Sequence, residues 1–242
     1  MEYLAAIVFG LAFGSFGNVL ILRLSKGENI AFPASHCPEC GQNLRWFHNI
    51  PLLSYLFLRG KCAFCSGKIS PIYPAIEAAT ALLFCAALYK TGANYYAVFA
   101  AITLFLLLCL SAIDLRTLTA PDSVNFAALF TALFASGAIA QNIQAALILA
   151  GALSLLRMAL SSFLKKEAMG EADVILGATM GAFLGLLGAF LALFIAALLA
   201  IVPALINQKK GEAQTPFIPF LAAGTLIVFL FGQTLMQLLG WQ

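Results

Sequence analysis

Apolar runs, each about 20 residues long, follow one another along nearly the whole chain, and a helix of that length crosses a hydrocarbon core about 30 Å thick. They extend from Tyr3 to about Leu24 and then over roughly 74–89, 94–113, 123–140, 143–164, 173–187, 189–207 and 217–238. Gly92, Pro121, Gln141-Asn142, Gly170 and Pro216 punctuate them. With 62% of its residues hydrophobic, 10% charged and a mean hydropathy of +0.98, a soluble globule would lack the charge to cover its surface. The chain therefore reads as an all-α polytopic membrane protein with about eight transmembrane helices. The same figures exclude a disordered chain, a secreted disulfide scaffold and a coiled coil, and a net charge of +3 gives no sign of a nucleic-acid partner.

One long polar region, Ser25 to about Tyr73, interrupts the apolar pattern. It divides the chain into a first transmembrane helix at 1–24, a Cys-rich extramembrane loop at 25–73 and a seven-helix membrane domain at 74–242. Glu2 precedes the first run where a secretory signal would be basic, so that run reads as a retained span. In an eight-span arrangement Arg23, Lys26, Arg45, Arg59, Lys61, Lys68, Arg116, Lys165, Lys166, Lys209 and Lys210 fall on the side of the Cys-rich loop, and only Lys90 falls opposite. The positive-inside rule then makes that loop cytoplasmic, with the 114–121, 165–172 and 208–216 loops, and puts both termini outside. The division of the long run 172–207 near Gly188 matters, because a single helix there would move Lys209 and Lys210 to the other side. Arg157 lies within the fifth span, where it either snorkels to the interface, pairs locally or meets a catalytic carboxylate.

Four of the six cysteines stand as Cys37-Pro-Glu-Cys40 and Cys62-Ala-Phe-Cys65. Each C-x-x-C pair can form a tight knuckle with two thiolates, and two knuckles complete a closed tetrahedral site of the structural zinc type. A cytoplasmic loop disfavours disulfides, and so few aliphatic residues leave the metal to supply much of its folding free energy. His36 abuts the first knuckle, but four thiolates already satisfy the ion. Cys85 and Cys109 lie within spans as small apolar fillers. The segment from Asn49 to Tyr55 reads as a Pro-started amphipathic helix on the membrane surface, and Leu58-Arg-Gly-Lys61 as a basic turn.

Three acidic residues, Asp114, Asp122 and Asp173, adjoin apolar runs. Asp114 ends the third span and Asp173 opens the sixth, so the chain crosses and returns once between them and both reach the same face. Two carboxyl groups close together in a partly dry site share a proton, and one can deprotonate water while the other donates to a carbonyl oxygen. The competing reading of Asp173 is a helix cap in a first turn, where the dipole favours it. Asp114 sits at a helix C-terminal end, where the dipole disfavours an anion. Asp122 and Glu77 both read as first-turn capping residues, Asp122 with a supporting role in the site as the alternative. The glycines at 177, 181, 185 and 188 read as helix-packing residues.

Together the residues resemble a known family. Gly14-Ser-Phe-Gly-Asn18-Val19, the two Cys pairs, Asn49-Ile-Pro-Leu-Leu-Ser54, Leu58-Arg-Gly-Lys-Cys62, Ile69-Ser70 and Tyr73-Pro74-x-x-Glu77 are similar to the amino-terminal module of the bacterial type IV prepilin leader peptidases. Asp114, Pro121-Asp122 and Gly170-x-x-Asp173 resemble the aspartate motifs of the same family's peptidase module. The resemblance implies an inner-membrane enzyme that cuts the basic leader from type IV prepilins or type II secretion pseudopilins on the cytoplasmic side. It also implies methylation of the new amino terminus with S-adenosylmethionine. The implied catalytic pair is Asp114 and Asp173, and Asn18 is a polar residue able to face the bundle interior. The family's second motif usually reads Gly-x-Gly-Asp, and here Ala172 stands in place of the second glycine, a change expected to be tolerated beside a flexible Gly170.

No Gly-rich loop of the kind that cradles S-adenosylmethionine in soluble methyltransferases is present, so no residue is assigned to the methyl donor. A peptidase without methyl transfer, in which the zinc loop only captures substrate, stays open. A transporter using the two aspartates as ion sites fits less well, because both lie at one face and no inverted repeat is evident.

Overall fold

The computed structural model describes residues 1–165, 169–210 and 215–240. Lys166 and the 211–214 stretch, parts of two loops expected in the cytoplasm, lie outside the described residues, as do the side chains of Lys209 and Lys210. The chain divides into two compact units, Met1–Ala93 and Asn94–Gln242. Among the described residues regular structure is helical, and the only β-type pairings are the isolated bridges His36 with Asn43 and Lys61 with Lys68.

The amino-terminal unit is built on α1 (Glu2–Leu24) and α3 (Ile72–Thr91), which pack along one another. Gly10, Gly14 and Asn18 follow at one-turn intervals and form the contact face. A Cβ at Gly10 would stand 2.6 Å from the Ala81 Cα, and one at Gly14 2.6 Å from the Glu77 Cα, so glycine alone admits this approach. One turn on, the Asn18 amide donates to the Tyr73 carbonyl at 3.1 Å, tying the start of α3 to α1. Because α3 begins at Ile72, Glu77 lies in its second turn and is no cap; it is buried, and its carboxylate accepts from the Leu52 N–H at 2.8 Å. Pro74 sits in the first turn, where its missing N–H costs nothing.

The intervening loop is largely irregular. The amphipathic helix expected from Pro51 reduces to α2 (Leu53–Phe57), since Leu52 takes φ +59° ahead of it and Arg59 and Gly60 take φ +52° and +69° behind it. Trp46, Leu56 and Phe57 are exposed around it.

The carboxy-terminal unit contains α4 (Tyr95–Thr117), α5 (Asp122–Leu133), α6 (Ile139–Leu164), α7 (Glu171–Lys210) and α8 (Ile218–Leu238). Helix α4 carries the most deeply buried surface, with Leu104, Phe105, Leu107, Leu110 and Ile113 almost wholly inside, and packs against α5 and α8. Helix α7 packs against α5, α6 and α8.

Among the described residues six helices, α1, α3, α4, α6, α7 and α8, are long and apolar enough to cross a membrane, which makes this a multi-pass membrane protein. The expected eight spans depended on α5 and on a divided α7. With 12 residues α5 is about 18 Å long, shorter than the other spans, and it is paired with α6: Asn125 near its start meets Ala172 of α7, and α6 returns to the same end, where Arg157 meets Glu171. The turn expected at Gln141-Asn142 comes earlier, at 134–138. Asn142 instead lies inside α6 and reaches back to the last turn of α5, donating to the Leu133 carbonyl at 2.8 Å. Helix α7 breaks at Gly185, three residues before the expected division, where φ 73° and ψ 173° are accessible to glycine alone. Gly185 therefore serves the break, with nothing within 4 Å of where its Cβ would stand, whereas Gly181 does pack: a Cβ there would stand 2.7 Å from the Ala145 carbonyl of α6.

Candidate functional site

The Cys-rich loop folds each C-x-x-C pair into the same turn. In the first, the Cys37 N–H donates to the Gln42 carbonyl and the Gly41 N–H returns to the Cys37 carbonyl; in the second, Cys62 pairs with Gly67 and Ser66 with Cys62 in the same way. Gly41 and Ser66, each directly after its pair, both take positive φ, 71° and 59°. The two turns bring the sulfurs of Cys37, Cys40, Cys62 and Cys65 within 4.8 Å of one another. A tetrahedron with metal–sulfur arms of about 2.3 Å has edges of about 3.8 Å; the Cys37 and Cys65 sulfurs are 3.9 Å apart. The donors are thus placed to hold one tetrahedral metal ion, and four thiolates suit zinc.

The electrostatics fit that reading. Amide N–H groups of Cys65 and Phe64 point at the Cys62 sulfur and lower its thiol to about 7. At Cys65 the Gly67 amide pulls downward, but burial and the crowding of Cys62, Cys40 and Cys37 outweigh it and push the thiol up to about 12. A cation among the sulfurs would relieve the crowding that raises Cys65. His36 stays out of the cluster, its Nδ1 lying 3.0 Å from the Ala34 carbonyl.

In the carboxy-terminal unit Asp114 is 5% exposed near the end of α4. Its misfit with the dipole of α4 is answered by another helix. Asp114 Oδ2 accepts the Ile218 N–H at 3.0 Å, and the Phe217 N–H bonds to the same carboxylate, so Asp114 sits on the positive end of α8. Asp173 is half-buried in the first turn of α7, where its Oδ2 accepts the Gly170 N–H at 3.2 Å, one half of a capping box. The capping reading of Asp173 therefore describes a real contact, but it leaves the second oxygen uncommitted. Asp114 and Asp173 lie close enough for their charges to act on one another.

Asp122 has no such role. It is exposed at the first position of α5, and no side chain caps that helix. Arg157 donates to Glu171 at 3.0 Å instead of to either aspartate.

A residue that sequence reading missed is Asn125. It is wholly buried on α5 and donates through Nδ2 to the Ala172 carbonyl at 3.0 Å, beside Asp173. Its Oδ1 is the one buried side-chain oxygen without a partner among the described residues. A polar residue in the first turn of α5 was visible, but nothing in its spacing pointed to α7. Ala172 itself has helical backbone angles, so a Cβ is accommodated where the family resemblance led one to expect glycine.

Residues 8–91 match the bacterial peptidase A24 N-terminal domain, and residues 101–205 match the type IV leader peptidase family. A prepilin leader peptidase/N-methyltransferase of Klebsiella pneumoniae is 41% identical over 187 residues, which covers 73% of this chain and 82% of that protein. One from Burkholderia pseudomallei (strain K96243) is 35% identical over 275 residues, covering 99% of this chain and 89% of its own. A type 4 prepilin-like proteins leader peptide-processing enzyme of Escherichia coli is 36% identical over 243 residues, with 90% of both chains covered. No solved structure matches.

Proposed function

The chain belongs to the type IV leader peptidase family, and from that premise we infer that it cleaves the leader from type IV prepilin or pseudopilin precursors and N-methylates the amino terminus so exposed. Asp114 and Asp173 are the catalytic pair. What supports this is that the two carboxyl groups, carried by the end of α4 and the start of α7, lie near enough for the charge of Asp173 to act on Asp114.

In hydrolysis the pair shares one proton. The ionised carboxylate takes a proton from water as the oxygen attacks the scissile carbonyl carbon, and the protonated carboxyl donates to the carbonyl oxygen. Collapse of the tetrahedral adduct breaks the C–N bond, with a proton passing to the leaving amine. The backbone N–H groups of Ile218 and Gly170 each hold Oδ2 of one carboxyl group, which fixes the direction of both carboxyl groups before substrate arrives.

The enzyme resides in the bacterial inner membrane with the dyad and the Cys-rich loop on the cytoplasmic side and both termini in the periplasm. The basic side chains support this orientation. A precursor that keeps its basic leader inside while its apolar segment enters the bilayer presents its scissile bond at that depth. Cys37, Cys40, Cys62 and Cys65 bind structural zinc. S-adenosylmethionine supplies an electrophilic methyl group when bound.

Incubating the purified protein with a prepilin and sequencing the product's amino terminus tests the cleavage. A mature, N-methylated terminus is expected. An uncut precursor under conditions where the protein is folded and metal-loaded would remove the peptidase assignment, and cleavage without methylation would leave a peptidase alone.

A further inference from the structure

The amino-terminal unit contains a partly open cavity of about 410 Å³, lined entirely by residues from Ser15 to Glu77. That volume falls in the range of about 300–1,000 Å³ typical of sites for cofactor-sized molecules. Helices α1 and α3 form one part of the wall, and both Cys knuckles contribute to the rest through Cys37 and Cys62.

Two buried ionisable side chains of opposite type line this cavity without meeting. Glu77 is 8% exposed; its carboxylate receives the Leu52 N–H and the Ser15 hydroxyl, both neutral donors. Arg23 is 9% exposed; its guanidinium donates to the carbonyls of Asn29, Ile30 and Pro33, all neutral acceptors. Neither belongs to an ion pair among the described residues. Lys26, Glu28, Glu39 and Lys68 also line the cavity but are exposed to water, so apart from the knuckle thiols Arg23 and Glu77 are its only buried ionisable side chains. Burying a charge without a counter-charge is costly, and a wall that keeps these two apart is complementary to a ligand carrying both signs. Ser15, which holds Glu77, and Arg23 stand about two turns apart on α1, or about 12 Å along its axis. That separation suits an extended molecule and not a small ion.

We propose that this cavity binds the methyl donor S-adenosylmethionine, with Glu77 facing its sulfonium and adjoining ribose hydroxyls and Arg23 facing its carboxylate. The proposal rests on the methyl-transfer half of the function inferred above. The carboxylate of Glu77 can accept ribose hydroxyls in the way that acidic residues do in dinucleotide folds, and it opposes the sulfonium charge. Arg23 has committed three N–H groups to carbonyls and keeps two of its five for a carboxylate. The assignment also accounts for the missing Gly-rich loop: the donor is held by a membrane helix pair roofed by a metal-folded loop. The Cys-rich module then serves methyl transfer by forming part of that roof.

The test uses the full-length protein in detergent micelles and S-adenosylmethionine carrying a tritiated methyl group. Equilibrium binding to the wild type is expected to saturate, and ultraviolet cross-linking is expected to leave label on peptides within 15–77. Glu77→Gln should weaken binding at least tenfold while zinc content and melting temperature stay at wild-type values. Because Arg23 also ties down residues 29–33, Arg23→Gln is read only alongside those two controls, and the cross-link map needs no variant. Label confined to residues 94–242, or unchanged affinity in Glu77→Gln, overturns the cavity assignment while methyl transfer to a cleaved prepilin persists. Absence of both donor binding and methyl transfer in the wild type overturns the methyltransferase reading together with it.

Discussion

In the amino-terminal unit four sulfurs meet through two copies of one short turn, and the Cys37 and Cys65 sulfurs are only 28 positions apart in sequence. In the carboxy-terminal unit Asp114 finds its backbone partner on α8, 104 positions away, and Asp173 is flanked by a contact from Asn125, 47 positions from Ala172. The first centre is held by local turns that a metal ion can draw together. The second depends on several packed helices keeping their places. The two centres should therefore fail in different ways when disturbed.

Removing the metal gives the largest expected effect. Structural zinc contributes on the order of 10 kcal/mol to the folding of small thiolate modules. Chelation, or Cys62→Ser, should open residues 25–71 to protease and lower bound zinc well below one ion per chain, while α4 to α8 stay protected. Coincident proteolysis of both units would show that the local and the helix-packed centres are not independent.

Loss of either proposed dyad member should be next in size. Asp114→Asn and Asp173→Asn are each expected to lower kcat for leader cleavage by about 10²–10⁴-fold, the range of a general acid or base, with zinc content unchanged. Asp122→Asn, at an exposed position without a capping bond, should be far milder. Equal losses in all three variants would sink the assignment of the pair.

Asn125→Ala sharpens the comparison further. It removes the tether from α5 to the Ala172 carbonyl and should cost about 1–3 kcal/mol of stability. As a positioning residue Asn125 should affect kcat for cleavage, by about tenfold, with KM little changed. A rise in KM alone, with kcat preserved, would assign it to substrate contact. Arg157→Ala should matter least, below about 1 kcal/mol, since its partner Glu171 is 80% exposed and water screens the pair. Differential scanning fluorimetry can read that ordering.

The readability of the molecule follows the same divide. The apolar runs located α1, α4 and α8 closely, because the bilayer demands length and apolarity of each helix by itself. The C-x-x-C spacing was enough to place four sulfurs, because a knuckle is a local turn. Glu77 was misread as a first-turn residue because the start of α3 depends on Asn18 of α1 gripping Tyr73. Gly185 was read as packing because its role lies in a backbone angle, and spacing carries no information about φ. Asp114 looked misplaced on α4 only because its compensating dipole belongs to α8.

Sequence alone determined that this chain lives in a membrane, that its polar loop carries a four-thiol centre, and that acidic residues end one apolar run and begin another. These are properties of composition and short spacing, set by the bilayer and by local turns. Only the tertiary structure decided which helix amides hold each carboxylate, that Asn125 braces the turn of Asp173, and that Glu77 and Arg23 line one cavity unpaired. Those relations join residues from separate helices, and helix packing in an apolar solvent is governed by close contact at small residues such as Gly10, Gly14 and Gly181, whose partners the one-dimensional pattern leaves unnamed.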